Sequence, residues 1–318
     1  MRTKTLVIGI AALAFGGLIL LRSLPHAMDD RRTGAASMSS APASLPSPDR
    51  VAAKTAVALG NEKAAPLSNA YADAFESATD LWDFAASVHD AASAGDPEAQ
   101  YYLAHALKYC ADGYRFYFIR GNKRRTLDEA LQWASTRSST SIDEVREIFE
   151  KCRRLADAPD KPFGDSSDWL KASKDAGYDL AMIESAQSLA TKAGVSGASE
   201  DVEMRNEAKR LALAALRTGR PEVIFTFGDF ASLFVGNARE ASQEQWVWRL
   251  AACERGFDCS HGAEWVRFQC RFDFNCQPQD DGIAFIHRNN SEDFDELQRR
   301  ARELNEKLDA GKYDDLLG

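Results

Sequence analysis

The chain has 318 residues, an ordinary hydrophobic content of 45% and a formal net charge of −9 at pH 7. This length provides for one or two domains with a sizeable core. The acidic balance argues against nucleic acid as a partner, because phosphate binding needs a basic face.

The first segment is an apolar run that predicts a membrane helix. An uncharged stretch of 16 residues, from Leu6 to Leu21, follows two basic residues. A helix of that length rises about 24 Å, near the lower limit for crossing the hydrocarbon core of a bilayer. We expect a cytoplasmic n-region over 1–4 and an uncleaved signal anchor over 5–22; a cleaved signal peptide is the alternative.

The second segment, residues 23–66, is rich in alanine, serine and proline and contains no aromatic residue. Such a composition cannot bury enough apolar surface to offset the conformational entropy lost on ordering. We expect a flexible linker between the anchor and a folded domain over 67–318.

The folded domain begins with a pattern typical of helices joined by a glycine turn. In the stretch 80–95, apolar residues recur at spacings of four, three and four, which places them on one helix face. Gly95 can end this helix, Asp96 can cap the next one, and Pro97 suits its first position.

The same pattern recurs around Gly177, Gly219 and Gly256. The residue four positions before each of the four glycines is small: Ala91, Ser173, Ala215 and Ala252. Steps of 42 and 37 residues separate the last three glycines, and the first step of 82 is near two such periods. A single hairpin cannot bury its apolar face alone, so we expect an all-α domain of stacked helical hairpins.

These repeats resemble the Sel1-like family, which is related to the tetratricopeptide repeats. The matching positions are Ala91, Ala92, Gly95, Ala99, Gln100 and Leu103 in the first repeat and Trp169, Ala172, Gly177 and Ala181 in the second. Looser matches surround the last two glycines. The resemblance implies a short, irregular α-solenoid that contacts other proteins, and it does not imply catalysis. The chain also resembles envelope proteins of Gram-negative bacteria.

Three parts are distinguished within the domain: an insert over 112–161 that breaks the repeat pattern, a cysteine-rich part over 246–280 and a closing helix over 291–310. Within the insert, the basic run from Arg120 to Arg125 predicts a solvated loop. In the closing helix, apolar residues are spaced 3-4-3-4: Phe294, Leu297, Ala301, Leu304 and Leu308. We expect this helix to pack on the last repeat with its charged side outward.

The cysteines are six in number and predict disulfides if the domain matures in an oxidising compartment. The expected pairs are Cys110–Cys152, Cys253–Cys259 and Cys270–Cys276. A zinc site that includes His261 is an alternative, although its ligands would be spaced more widely than zinc usually requires. Inert buried thiols and a redox pair are further alternatives, and no C-x-x-C motif is present.

The chain contains no nucleophile elbow, no P-loop and no dinucleotide-binding glycine pattern, so we expect neither an enzyme nor a cofactor. Phe272 and Phe274 would form an apolar knob for a partner if they are exposed. The expected function is a scaffold or adaptor, anchored in the inner membrane and facing the periplasm, that binds another envelope protein. One alternative is an envelope hydrolase or ligand-binding protein with its site in the insert, and another is a cleaved periplasmic or secreted form.

Overall fold

The structure, a computed structural model, describes residues 70–136, 142–158, 161–196, 200–263, 265–266, 269 and 280–317. The predicted n-region, signal anchor and linker lie outside these ranges. Among the residues described, no helix combines the length and apolar character that a membrane span requires.

Twelve α-helices account for most of the described chain, which confirms the prediction of a mainly helical domain. They are α1 (Ala70–Ser77), α2 (Leu81–Ser93), α3 (Pro97–Phe118), α4 (Leu127–Ser135), α5 (Ile142–Asp157), α6 (Ser166–Asp175), α7 (Asp179–Ser196), α8 (Glu200–Leu216), α9 (Pro221–Ser232), α10 (Ala238–Glu254), α11 (Gly282–Asn289) and α12 (Phe294–Asp309). Two short strands, β1 (Ile119–Arg120) and β2 (Lys123–Arg124), pair antiparallel, and a 3-10 turn (Asp314–Leu316) follows α12.

The glycine turns share one backbone arrangement at three of the four positions. Gly95, Gly177 and Gly256 have φ angles of 95°, 87° and 97°, a region that glycine enters without steric cost. The N–H that follows each glycine donates to a carbonyl five residues earlier, at 3.0–3.1 Å, as in a Schellman motif. The acceptors are Ala91, Ser173 and Ala252. The small residue four positions before each glycine is therefore the one that accepts the closing hydrogen bond.

The helices pack mainly on their neighbours along the chain. The largest contacts join α7 to α8, α9 to α10, α3 to α6 and α2 to α3. The contact between α3 and α6 includes a hydrogen bond from the Ser173 hydroxyl to the Pro97 carbonyl, at 2.7 Å. Ala99, Ala181 and Val223, four residues after their glycines, have no exposed surface. Small residues beside the turns thus let successive helices approach closely.

The insert is held to the repeats by α5, which packs on α3, α2 and α4. Helix α3 continues without a break to Phe118, past residue 112, where the insert is predicted to begin. The basic run, expected to be a loop, instead forms the β1–β2 hairpin. Its turn has Gly121 at the first central position with a φ angle of 60°, and two-residue hairpin loops favour glycine there.

The closing helix α12 begins at Phe294, three residues later than predicted, with Asp293 as its N-cap residue. Its apolar stripe is buried at Leu297, Ala301 and Leu304, and at Leu308 one turn further on. The helix packs on α10. The 3-4-3-4 spacing therefore identified the buried face, although it placed the start of the helix too early.

Candidate functional site

A cluster of polar and aromatic side chains lies where α3, α7 and α9 begin, directly after three glycine turns. We call this cluster the tyrosine seam. Its members are Glu98, Tyr101, Tyr102, Tyr178, Asp179, Glu184 and Arg220. Each helix begins beside a charged residue: Asp96 caps α3, Asp179 is the first residue of α7, and Arg220 is the N-cap residue of α9. The repeated turn therefore places charged groups at successive helix ends.

Arg220 is the central cation of the seam. It donates to the Tyr178 hydroxyl at 3.3 Å and to Asp179 Oδ1 at 3.1 Å. Its Nε lies 3.6 Å from a carboxylate oxygen of Glu222, and its guanidinium carbon lies 5.5 Å from the centre of the Tyr178 ring. The seam therefore already holds one guanidinium of its own chain between carboxylates and an aromatic face.

A second group of contacts surrounds Glu184, on α7. The buried Tyr101 hydroxyl donates to Glu184 Oε1 at 2.8 Å. The imidazole of His105 stacks on the Tyr101 ring with centroids 5.8 Å apart, and its Nδ1 lies 3.8 Å from Glu184. Lys108 Nζ lies 3.9 Å from the other carboxylate oxygen, and the lysine side chain is exposed. The two basic side chains line the solvent side of a buried tyrosine–carboxylate contact.

One end of the seam is covered by the short helix α1. The Tyr71 hydroxyl donates to Asp96 Oδ2 at 3.2 Å. The ring of Phe75, which is buried, lies edge-on to His105 at 5.0 Å and 6.3 Å from the Tyr102 ring. Helix α1 therefore closes the seam beside Asp96 and His105.

Burial controls the protonation of the seam. It raises the pKa of Tyr178 to about 12, against the opposing effect of Arg220, and raises the pKa values of Tyr101 and Tyr102 further. Burial is also the main reason why the pKa of Glu98 is raised, with Arg220 opposing it. The tyrosines thus stay protonated at neutral pH, and their hydroxyls can donate to the neighbouring carboxylates.

The chemistry of the seam is that of cation binding. Carboxylates outnumber basic groups, and the tyrosine rings supply faces that attract guanidinium or ammonium ions. Within the described ranges, no group of three or more His, Cys, Asp or Glu residues is arranged to hold a metal ion.

A buried cation lies in the packing of α9 on α10. Arg249 is only 5% exposed, and its guanidinium lies 4.9–5.9 Å from the ring centres of Phe225, Trp246 and Trp265. It donates to Asp229 at 3.1 Å, and its Nε has no hydrogen-bond partner in the described part of the chain. Burial lowers the pKa of Arg249, while Asp229 opposes this. This arginine joins α9, α10 and the segment after Gly256 into one packed unit.

Two of the three predicted cysteine pairs lie within the described residues. Cys110 and Cys152 are buried and lie at disulfide distance, with Cα atoms 5.1 Å apart. Cys253 and Cys259 are half-buried and also lie at disulfide distance, with Cα atoms 5.7 Å apart. The third pair, Cys270–Cys276, and the predicted knob of Phe272 and Phe274 lie outside the described residues.

Sequence reasoning missed the half-buried Arg220 and the buried Arg249. The members of the seam come from three helices, and Tyr101 is 83 residues from its partner Glu184. The only signal along the chain is the repeated charged residue after each glycine turn. Trp246 and Arg249 are three residues apart on one helix, but the other rings come from distant segments.

Comparison with known proteins identifies no relative, since no family model, no curated protein and no solved structure matches this chain. The resemblance to Sel1-like repeats therefore stays a prediction from the sequence.

Proposed function

We propose that this chain is an envelope protein-interaction module of the Sel1-like type that binds a cationic segment of a partner protein along the tyrosine seam. The observation that carries this proposal is the way the seam holds Arg220. A guanidinium lies against the Tyr178 ring and is bonded to Asp179, which is only 6% exposed. A partner's arginine or lysine would need the same kinds of groups.

The seam has carboxylates left for that purpose. Glu98 is half-buried, and its contact within the seam is the Tyr178 hydroxyl at 3.5 Å. Glu184 bonds to Tyr101, and the two basic groups nearest to it are at 3.8 and 3.9 Å, beyond hydrogen-bonding distance. A cation that binds here would gain charge-assisted hydrogen bonds that the free protein does not make.

Location forms the second part of the proposal. The two cysteine pairs at disulfide distance support a domain that matures outside the cytosol. Together with the apolar run at 5–22, they favour an inner-membrane protein with its helical hairpins, stacked as a short solenoid, in the periplasm. Thiol counting on protein purified without reductant, together with N-terminal sequencing, tests this part. Six free thiols would overturn it.

The binding proposal can be tested by site-specific photo-crosslinking in cells. A benzophenone amino acid at Lys108 would lie beside Glu184, and the same amino acid at Arg302 would lie on the exposed face of α12. We expect a discrete crosslinked protein from position 108 and none from position 302. The captured protein should have a basic segment at the crosslinked position.

A separate variant tests whether binding at the seam requires its negative charges. Glu98→Gln with Glu184→Gln removes two charges but keeps oxygen acceptors for the tyrosine hydroxyls. Crosslinking from position 108 should fall at least about tenfold, as expected for the loss of two charge-assisted contacts. The control, Glu292→Gln with Glu306→Gln, makes the same charge change at exposed sites. Equal crosslinking in both double variants would contradict binding at the seam.

A further inference from the structure

The most basic segment of the chain lies away from the tyrosine seam, in the insert. Residues 115–125, which we call the basic hairpin, contain five Lys or Arg residues and no Asp or Glu, in a chain with a net charge of −9. The segment comprises the last turn of α3 and the β1–β2 hairpin. Its charge is therefore opposite in sign to that of the molecule as a whole.

Two of these cations are placed at a cost to stability. Arg120 and Lys123 lie directly opposite each other across the hairpin, and both are exposed. Like charges at facing positions of an antiparallel pair repel each other and destabilise it. No carboxylate forms an ion pair with either residue in the part of the chain that the structure describes. An anion outside the chain would relieve this repulsion.

Two of the three other arginines of the hairpin have partners that hold it in place. Arg124 pairs with Asp157 on α5 and donates to the Tyr114 hydroxyl on α3. Arg125 donates to the Tyr117 carbonyl at 3.1 Å, and its guanidinium lies 4.9 Å from the centre of a Trp133 ring on α4. The hairpin is thus attached to three helices, and these attachments hold the segment that carries Arg120 and Lys123.

Exposed apolar side chains lie close to these two cations along the chain. Phe116 is 44% exposed and Ile119 is 45% exposed, and both lie within four residues of Arg120. Phe116 packs one edge against Tyr117 and Trp133, which keeps its ring at the surface. Exposed apolar side chains beside exposed cations are the combination that binds the interfacial layer of an anionic bilayer.

We propose that the basic hairpin docks the domain on a bilayer of anionic phospholipid. The remainder of the chain carries an excess of negative charge, which favours an orientation with the basic hairpin toward the anionic surface. An acidic protein would satisfy the cations, but it would not by itself account for the exposed Phe116 and Ile119. This inference stands independently of the tyrosine seam.

The test is amide hydrogen exchange of the full-length chain with lipid vesicles. One set contains phosphatidylglycerol and phosphatidylcholine, and the other contains phosphatidylcholine alone. We expect exchange over residues 114–126 to slow at least about fivefold with the anionic vesicles only, and the protection to fall with added salt. The readout is local, so insertion of residues 5–22 into both kinds of vesicle would not produce it.

Arg120→Glu with Lys123→Glu should abolish the protection. This exchange of charge leaves the β1–β2 hydrogen bonds and the anchoring arginines in place, and far-UV circular dichroism checks the fold. Arg120→Gln with Lys123→Gln is the milder second variant and should reduce the protection. The matched control is Arg302→Glu with Lys312→Glu, two exposed positions at the end of the chain, and it should keep the protection.

Three results would overturn the proposal. One is equal protection with both kinds of vesicle, which would remove the charge requirement. Another is no protection with either. A third is protection by soluble polyglutamate but not by anionic vesicles, which would identify an acidic protein as the occupant.

Discussion

The two regions that hold a cysteine pair at disulfide distance are built in different ways. Cys110 and Cys152 are 42 residues apart, both are buried, and their bond joins α3 to α5. Cys253 and Cys259 are six residues apart and partly exposed, and their bond spans the turn that Gly256 already closes. The first bond maintains a tertiary contact, and the second reinforces a local turn.

The packing beside the two cysteine pairs also differs. Near Cys110, α3 and α5 approach closely, because a Cβ atom added to Gly113 would lie 2.9 Å from Ile148 on α5. Near Cys253, the packing depends on Arg249 and its three aromatic neighbours. The insert is therefore held by a covalent bond across a close helix contact, whereas the cysteine-rich part is held by a buried cation.

The largest expected effect comes from Cys110→Ala with Cys152→Ala. Loop closure over 42 residues constrains the unfolded chain, so the free energy of unfolding should fall by about 4 kcal/mol. Urea unfolding followed by circular dichroism measures this. A loss no larger than that from the pair Cys253→Ala with Cys259→Ala would remove the distinction between the two regions.

Arg249→Ala should have the next largest effect and lower the free energy of unfolding by about 3 kcal/mol. It empties the space among three rings and leaves Asp229 without its cation. Arg249→Met fills that space without a charge, so it should lower the free energy of unfolding by less than about 1.5 kcal/mol. Unfolding in urea distinguishes the two. Equal losses would show that the charge, and not the packing, holds this region together.

Cys253→Ala with Cys259→Ala should lower the free energy of unfolding by about 2 kcal/mol, because the closed loop is short and the Gly256 turn remains. The protein should keep its helical spectrum and its cooperative transition. Loss of the folded state would show that this turn depends on its disulfide.

The smallest expected effect is on the stability of the domain at alkaline pH. The pKa of Tyr178 is raised to about 12 in the folded state, so the unfolded chain releases this proton first as pH rises. Its contribution to stability is therefore complete below about pH 10 and is lost as pH rises toward 12. Tyr178→Phe should make the fall in stability over this interval shallower, measured by urea unfolding at several pH values after alkylation of any free thiol. An unchanged slope would contradict a buried hydroxyl at this position.

Features set by nearby residues could be predicted from the sequence. The glycine turns follow from a residue that enters positive φ without cost, and the small residue before each glycine accepts the closing hydrogen bond. The buried stripe of α12 follows from helical spacing. The error at Arg120–Arg125 is of the same local kind, because a glycine at the start of a two-residue loop favours a hairpin that the run of charges obscured.

Contacts between distant residues could not be predicted in the same way. Arg220 meets Tyr178 and Asp179 across about forty residues of chain, and Arg249 is enclosed by rings from three segments. Each of these side chains would look like an ordinary surface residue when only its own helix is considered.

The sequence by itself determined a helical domain with glycine-closed turns and a buried face on its last helix, because backbone preference and the period of apolar residues act over a few positions. Only the tertiary structure decided where the charged and aromatic groups meet. Helix packing sets those distances, and the electrostatic consequences of burial arise only after the helices have assembled.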